Sequence, residues 1–142
     1  MTFLLATAFL GFTNHSTLLD VTNRFGSPIS VEFTQNQDEN EFIYNRDGYI
    51  FTIYCDHSAK INHMDAYGLN TAVSYKGIKL TSDFATVVKK MGNPESYTIE
   101  ENSTTLNYPD ASFTLDKVGK QGKYKLVKIS VNCIDKVQKD KS

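Results

Sequence analysis

Leu18, Val21 and Phe25 recur at spacings of three and four, and Phe84, Val87, Val88 and Met91 repeat that spacing later in the chain. Apolar positions three, four and seven apart lie on one side of an α-helix, so each run predicts a short helix with one face turned inward. Ser16 and Ser82 stand just before the runs, where a hydroxyl accepts from an orphan amide and caps the helix. Gly26 and Gly92 end the runs, where a left-handed residue terminates a helix, and Pro28 and Pro94 prevent its resumption. Each helix is expected to run about ten residues.

After each proline the period changes to strict alternation. "SVEFTQ", "EFIYN", "YIFTIYC" and "KINHMDA" follow the first helix; "ESYTIEE", "TTLNY", "ASFTLD" and "KYKLVKISV" follow the second. These runs are rich in β-branched and aromatic residues and are separated by turn signals, so four short strands are predicted after each helix. Period-2 spacing puts Phe42 and Tyr44 on one face, as it does Tyr49, Phe51 and Ile53, and in the later run Leu106 with Tyr108 and Phe113 with Leu115. These should pack on the helices, leaving Ile43, Ile50, Thr52 and Tyr54 on a face available to a partner. An extended piece is also expected before each helix, in "LLATAFLGF" and "TAVSYKGI".

The punctuation itself is duplicated. "GFTNHSTLLDVTNRFGSP" from Gly11 to Pro28 recurs as "GIKLTSDFATVVKKMGNP" from Gly77 to Pro94, with the two glycines 15 residues apart in each copy. A fixed-period self-match points to a duplicated structural block. The expected fold is therefore α+β: two tandem repeats, residues 1–70 and 71–142, each a short helix packed on an antiparallel sheet of about four strands. A half of about 70 residues buries only a marginal core, so the two are expected to form one compact unit.

Composition is that of an ordinary globular chain, 40% apolar and 22% charged among 142 residues. "MTFLLATAFLGF" lacks a basic leader region and its distal half aligns with "TAVSYKGI", which favours a core strand over a secretory signal and a cytoplasmic location. Cys55 and Cys133 do not occupy equivalent places; two reduced thiols suit a cytosolic protein, one disulfide an exported one.

Charge is unevenly spread. Residues 1–70 carry eight acids and three bases, whereas residues 71–142 carry eight acids and twelve bases. The acidic half is expected to attract a basic partner. The lysine-rich end contains no arginine and the pI is near 6.3, which argues against direct nucleic-acid binding. Cys55, Asp56, His57 and His63 bring thiol, carboxylate and imidazole into one hairpin, but alternation prevents Asp56 from orienting His57 on the Cys55 face. No Gly-rich phosphate loop, paired CxxC or nucleophile elbow is present. A non-enzyme without cofactor or metal is expected.

The Gly, capped helix, Gly-x-Pro and strand pattern, carried by Gly11, Gly26, Pro28, Gly77, Gly92 and Pro94, resembles the β-lactamase-inhibitor-protein-like fold and the small outer-membrane assembly lipoproteins of the SmpA/OmlA type. The resemblance implies tandem sheets that grip a partner protein on a concave aromatic surface. It departs from the lipoproteins in lacking a lipidated Cys and from the secreted inhibitor in lacking equivalent cysteines. With the acidic half, it implies an immunity protein of a bacterial toxin or contact-dependent growth inhibition system, which occludes a basic toxin, a nuclease by preference. An envelope or periplasmic binding protein is the alternative. The partner-binding residues expected are Glu39, Glu41, Asp47, Tyr54 and Asp56.

Overall fold

A computed structural model describes residues 9–13, 15–33, 39–46, 48–119 and 122–132. Helix α1 (Leu18–Phe25) is followed by β1 (Ser30–Phe33), β2 (Glu39–Arg46), β3 (Tyr49–Asp56) and β4 (Ile61–Gly68). A small hairpin, β5 (Ser74–Tyr75) and β6 (Ile78–Lys79), leads to helix α2 (Phe84–Met91). The chain continues through β7 (Ser96–Glu100), β8 (Ser103–Asn107), β9 (Ala111–Val118) and β10 (Lys123–Asn132). Apart from the hairpin, the strands form one antiparallel sheet in the order β1-β2-β3-β4-β10-β9-β8-β7.

This overturns the expected fold class. Two repeats, each with a helix on its own sheet of about four strands, are not what forms. The described residues are mostly strand, with one eight-stranded sheet, the two-stranded hairpin and two eight-residue helices. The reason lies in the ladder between β4 and β10, where Tyr67 pairs with Lys128 and His63 with Asn132 at its ends. Each strand would otherwise leave a row of unpaired amides and carbonyls at a sheet edge; pairing satisfies both rows and makes the apolar face continuous.

The helix starts lie one residue beyond the serines. Thr17 and Asp83 occupy the N-cap positions. Asp83 accepts from Thr86 N–H at 2.8 Å, and in α1 Asp20 reaches back to the Thr17 N–H at 2.8 Å. A carboxylate is a stronger acceptor for an orphan amide than a serine hydroxyl, and so sets the cap. Ser16 instead accepts from Thr13 N–H at 3.0 Å. Gly26 and Gly92 close the helices with φ of 79° and 82°, a conformation that side-chain-bearing residues adopt only with strain.

Both helices, the β5–β6 hairpin and the Phe9–Phe12 turn pack on one face of the sheet. Val21, Val87, Tyr44, Phe51, Ile53, Met64, Phe113, Leu115 and Ile129 form a single buried cluster with Phe9, Phe12, Tyr75 and Ile78. The Phe25 ring lies 4.8 Å from that of Phe51, which stacks on Tyr44 at 4.9 Å. Each helix is pinned by a tyrosine: Tyr44 Oη donates to the Gly26 carbonyl at 3.0 Å and Tyr108 Oη to the Gly92 carbonyl at 2.9 Å. Phe84 departs from the expected inward face, being 45% exposed at the first turn of α2. The extended pieces expected before the helices are the two-stranded hairpin at α2 and, in the described part of the first piece, the pairing of Phe9 with Phe12.

Asp110 ties the hairpin to the sheet. Its buried carboxylate accepts from Tyr75 Oη at 2.7 Å and pairs with Lys76 Nζ at 2.7 Å. Burial alone would raise its pKa, but the Lys76 and Tyr75 hydrogen bonds outweigh it and hold the carboxyl below its ordinary value.

Candidate functional site

Alternation leaves the second sheet face to polar groups. Register places Glu32, Glu41, Tyr54, His63 and Asn132 in one row across β1, β2, β3, β4 and β10. Ser30, Ile43, Thr52, Asp65 and Ser130 form the next row, and Asn45, Ile50, Tyr67 and Lys128 the one after. Among the described residues no helix or hairpin packs on this face, and Ile50 and Tyr67 are 44% and 51% exposed on it.

The centre of the face is a small hydrogen-bonded cluster. The Tyr54 ring stacks on the His63 imidazole, centroids 3.7 Å apart, because the two are direct partners in the β3–β4 ladder. Tyr54 Oη donates to Asp65 Oδ2 at 3.1 Å, and Lys128 Nζ approaches the same oxygen at 3.8 Å. Partial burial raises the Tyr54 pKa, and the Asp65 and Glu41 carboxylates raise it further, so the phenol stays protonated and donating.

His63 Nδ1 lies 3.9 Å from Glu39 Oε2, near enough for an ion pair if the ring were charged. Burial lowers the His63 pKa despite the opposing pull of Asp65 and Glu39, and Lys128 adds to the fall. Glu39 Oε2 is meanwhile hydrogen-bonded by Asn62 Nδ2 at 3.1 Å. Burial thus works against a charged ring here, and at 3.9 Å the His63–Glu39 contact is a loose polar one beside the Tyr54 stack.

The expected partner-binding residues separate into distinct environments. Glu41 and Tyr54 are half-buried neighbours on the open face. Glu39, at the start of β2, is buried and engaged by Asn62. Asp56 caps the turn after β3, accepting from the amides of Ser58 at 2.8 Å and Lys60 at 3.0 Å, so its carboxylate serves the hairpin. Asp47 lies outside the described residues. Glu32, one of the acids of the acidic half expected to draw a basic partner, completes the constellation with His63 and Asp65, which were not among the partner-binding residues expected. The signal for the latter two was present: once Met64 and Ala66 point inward, His63 and Asp65 must point out.

Cys55 lies on the opposite face from His63, buried among core side chains. Desolvation, helped by Asp56 and Glu39, pushes its thiol up to about 12, so it is not a thiolate at neutral pH. Among the described residues no group of three His, Cys, Asp or Glu side chains is arranged to hold a metal ion.

Like charges meet on the open face. Glu32 and Glu41 are direct cross-strand partners, an arrangement that destabilises an antiparallel pair. Ser30 Oγ donates to Glu32 at 3.0 Å. That bond supplies no compensating charge.

Neither a protein-family model nor a curated protein matches the sequence. Solved structures do match in fold. A cysteine-rich secretory protein from Staphylococcus aureus aligns over 88% of this chain and 45% of its own, with a TM-score of 0.61 and 14% identity. An extracellular protein containing an SCP domain from Bacillus anthracis aligns over 89% and 46%, with a TM-score of 0.59 and 10% identity. A DUF4309 family protein from Bacillus subtilis aligns over 84% and 80%, with a TM-score of 0.49 and 14% identity. The chain spans less than half the length of the first two proteins.

The first two neighbours overturn the resemblance to the β-lactamase-inhibitor-protein-like fold and the SmpA/OmlA lipoproteins. Gly-x-Pro after a helix is a local stop signal that many topologies share; it marks where a helix ends and says nothing about which strands pair. No helix among the described residues is long and apolar enough to cross a membrane.

Proposed function

We propose that this chain is a non-catalytic binding module that holds a basic protein partner against the open face of its first four strands, with Tyr54 at the centre and Glu32 and Glu41 at the rim. The observation that carries this reading is the pairing of Glu32 with Glu41 on a face that no described element covers. Opposed carboxylates cost stability in the free protein, and a cationic partner converts that cost into attraction. Tyr54, backed by His63 and fixed by Asp65, offers a rigid amphipathic anchor that loses little freedom on binding. A toxin domain with a basic active-site surface, such as a nuclease, fits this chemistry, and occluding it would make the chain an immunity protein.

The cytoplasm is the compartment proposed for this module, and fold likeness to a secretory and an extracellular protein favours export as the alternative. Cell fractionation with an antibody to the chain separates the two.

The binding reading is tested by affinity capture at low and high salt with three baits: the unaltered protein, Glu32→Lys/Glu41→Lys, and Thr98→Lys on the other half of the face. A basic protein should be retained by the first and third baits, lost from the second, and released by salt. Equal retention by all three baits, or an acidic partner, removes the reading. Assaying the retained partner for nuclease activity with and without this chain then decides the immunity reading on its own.

A further inference from the structure

Four of the twelve lysines of the second half gather at one place. Lys79 at the end of β6, Lys90 in the last turn of α2, and Lys123 and Lys125 on β10 line a single cleft of about 470 Å³. Three separate elements deliver them, so the cluster is a product of the fold and not of a lysine run.

The floor of the cleft is fixed. Thr81 N–H donates to the Leu126 carbonyl at 2.7 Å, Leu126 N–H to the Ser82 carbonyl at 2.8 Å, and Ser82 N–H to the Lys79 carbonyl at 3.0 Å. Thr81 is held at φ 80°, which is strained for a β-branched residue and persists because those bonds over-determine it. The hydroxyl-bearing residues Thr81, Ser82 and Thr86 line the same cleft as the lysines.

Little negative charge offsets the ammonium groups. Asp83 is the one carboxylate among the described residues lining the cleft, and it accepts from the Thr86 amide as the cap of α2. That hydrogen bond holds its pKa below the ordinary value. Lys90 Nζ donates to the Gly77 carbonyl at 3.0 Å, which leaves two of its three N–H groups. Asp116, opposite Lys125 in the β9–β10 ladder, makes no ion pair with it, and among the described residues no carboxylate pairs with any of the four lysines. Self-repulsion of this kind is relieved by a bound anion, and ammonium and hydroxyl donors around one concavity suit the oxygens of phosphate.

We propose that the cleft between α2 and β10 binds a multiply charged oxyanion, a phosphate or diphosphate group, at a site separate from the acidic sheet face. The group can belong to a free phosphorylated compound or to a lipid headgroup, and two arms of one experiment tell these apart. Pyrophosphate is titrated calorimetrically into the protein, and the protein is sedimented with phosphatidylcholine vesicles with and without phosphatidate. One pyrophosphate should bind per chain. Lys123→Gln/Lys125→Gln should weaken it by about tenfold or more, as losing charge-assisted contacts requires, with Lys79→Gln acting in the same direction from another element. Lys89→Gln, on the same helix but outside the cleft, should leave binding within about twofold. Retention on phosphatidate vesicles that the double variant abolishes identifies a headgroup; pyrophosphate binding without retention identifies a free ligand. No binding in either arm, or equal losses with Lys89→Gln and the double variant, overturns the site.

Discussion

The two halves of the open sheet face use one backbone arrangement for opposite chemistry. On β7, β8 and β9 the central outward rows are matched, although Glu100 and Asp116 lie at their end: Thr105 and Thr114 hydroxyls meet at 3.0 Å, Ser112 Oγ donates to Asn107 Oδ1 at 2.9 Å, and Asn107 Nδ2 to Ser96 Oγ at 3.2 Å. On β1 to β4 the same positions carry Glu32 against Glu41, beside the Tyr54–His63 stack and Asp65. A surface whose donors and acceptors are already matched offers a partner little, because each contact made breaks one of equal worth. In the acid-rich half the opposed Glu32 and Glu41 carboxylates have something to gain from a cation. Beneath both halves the helix-pinning contacts are alike, Tyr44 to Gly26 and Tyr108 to Gly92. The divergence therefore lies in surface chemistry laid on a shared framework.

The largest effect that would break this comparison is a difference in core stability. Phe51 and Phe113 are both fully buried in one contiguous cluster. Phe51→Ala and Phe113→Ala should each cost about 3–5 kcal/mol, the usual range for deleting a buried ring, and each should give one cooperative urea transition by circular dichroism. Two transitions in either variant would mean that the halves unfold separately and that the shared core is not the organising unit.

Next in size is a contact of the second half alone. Asp110→Ala removes the hydrogen bond from the buried Tyr75 hydroxyl and the ion pair with Lys76, and should cost about 2–3 kcal/mol. Since the Asp110 pKa is held down in the folded state, its stabilisation is present above its ordinary carboxylate range and is lost as pH falls through the lower, folded value. Acid titration of unfolding should show a steeper loss below about pH 4 in the unaltered protein than in Asp110→Ala. Equal slopes would show that the carboxylate is not favourably held.

The tyrosine pins give a matched pair of smaller effects. Tyr44→Phe and Tyr108→Phe remove one hydrogen bond each to a helix-terminal carbonyl while keeping the ring, and each should cost about 1 kcal/mol in the same urea assay. Values differing by more than about 1 kcal/mol would show that the two helices are not held alike.

How much of this was legible in the sequence depends on the range of the interaction. Alternation sorted Tyr44, Phe51, Ile53, Phe113 and Leu115 inward and Ile50, Thr52 and Tyr54 outward, because side-chain direction in a strand is a property of the strand itself. The Gly26 and Gly92 helix ends were likewise local. The β4–β10 ladder was not, since nothing in the alternation of "KINHMDA" says which later strand it meets, and that ladder turned two expected sheets into one. The site divides in the same way. Glu41 and Asp56 look alike as acids on neighbouring strands, yet Asp56 stands two and four residues before the amides it caps and is drawn into its own turn. The stack of Tyr54 on His63 needed the β3–β4 register, which a bulge after Tyr54 sets.

The finest distinction concerns the opposed carboxylates. Glu41→Gln keeps the shape and hydrogen-bonding reach toward Tyr54 but removes the charge facing Glu32, so it isolates the repulsion across β1 and β2. It should stabilise the free protein by about 0.5 kcal/mol, the scale of a cross-strand charge pair, and the gain should shrink as salt screens the unaltered protein. The second half offers no such gain: Asn107→Ala deletes a member of a satisfied ladder and should destabilise. The same Glu41→Gln change should weaken capture of a basic partner, because the carboxylate that strains the free sheet is the one that attracts the cation. Opposite signs for stability and binding are the signature of a surface kept for function at the expense of the fold. If Glu41→Gln instead lowers the urea midpoint, Glu41 is held favourably where it stands, and the contrast between the two halves no longer points to a partner.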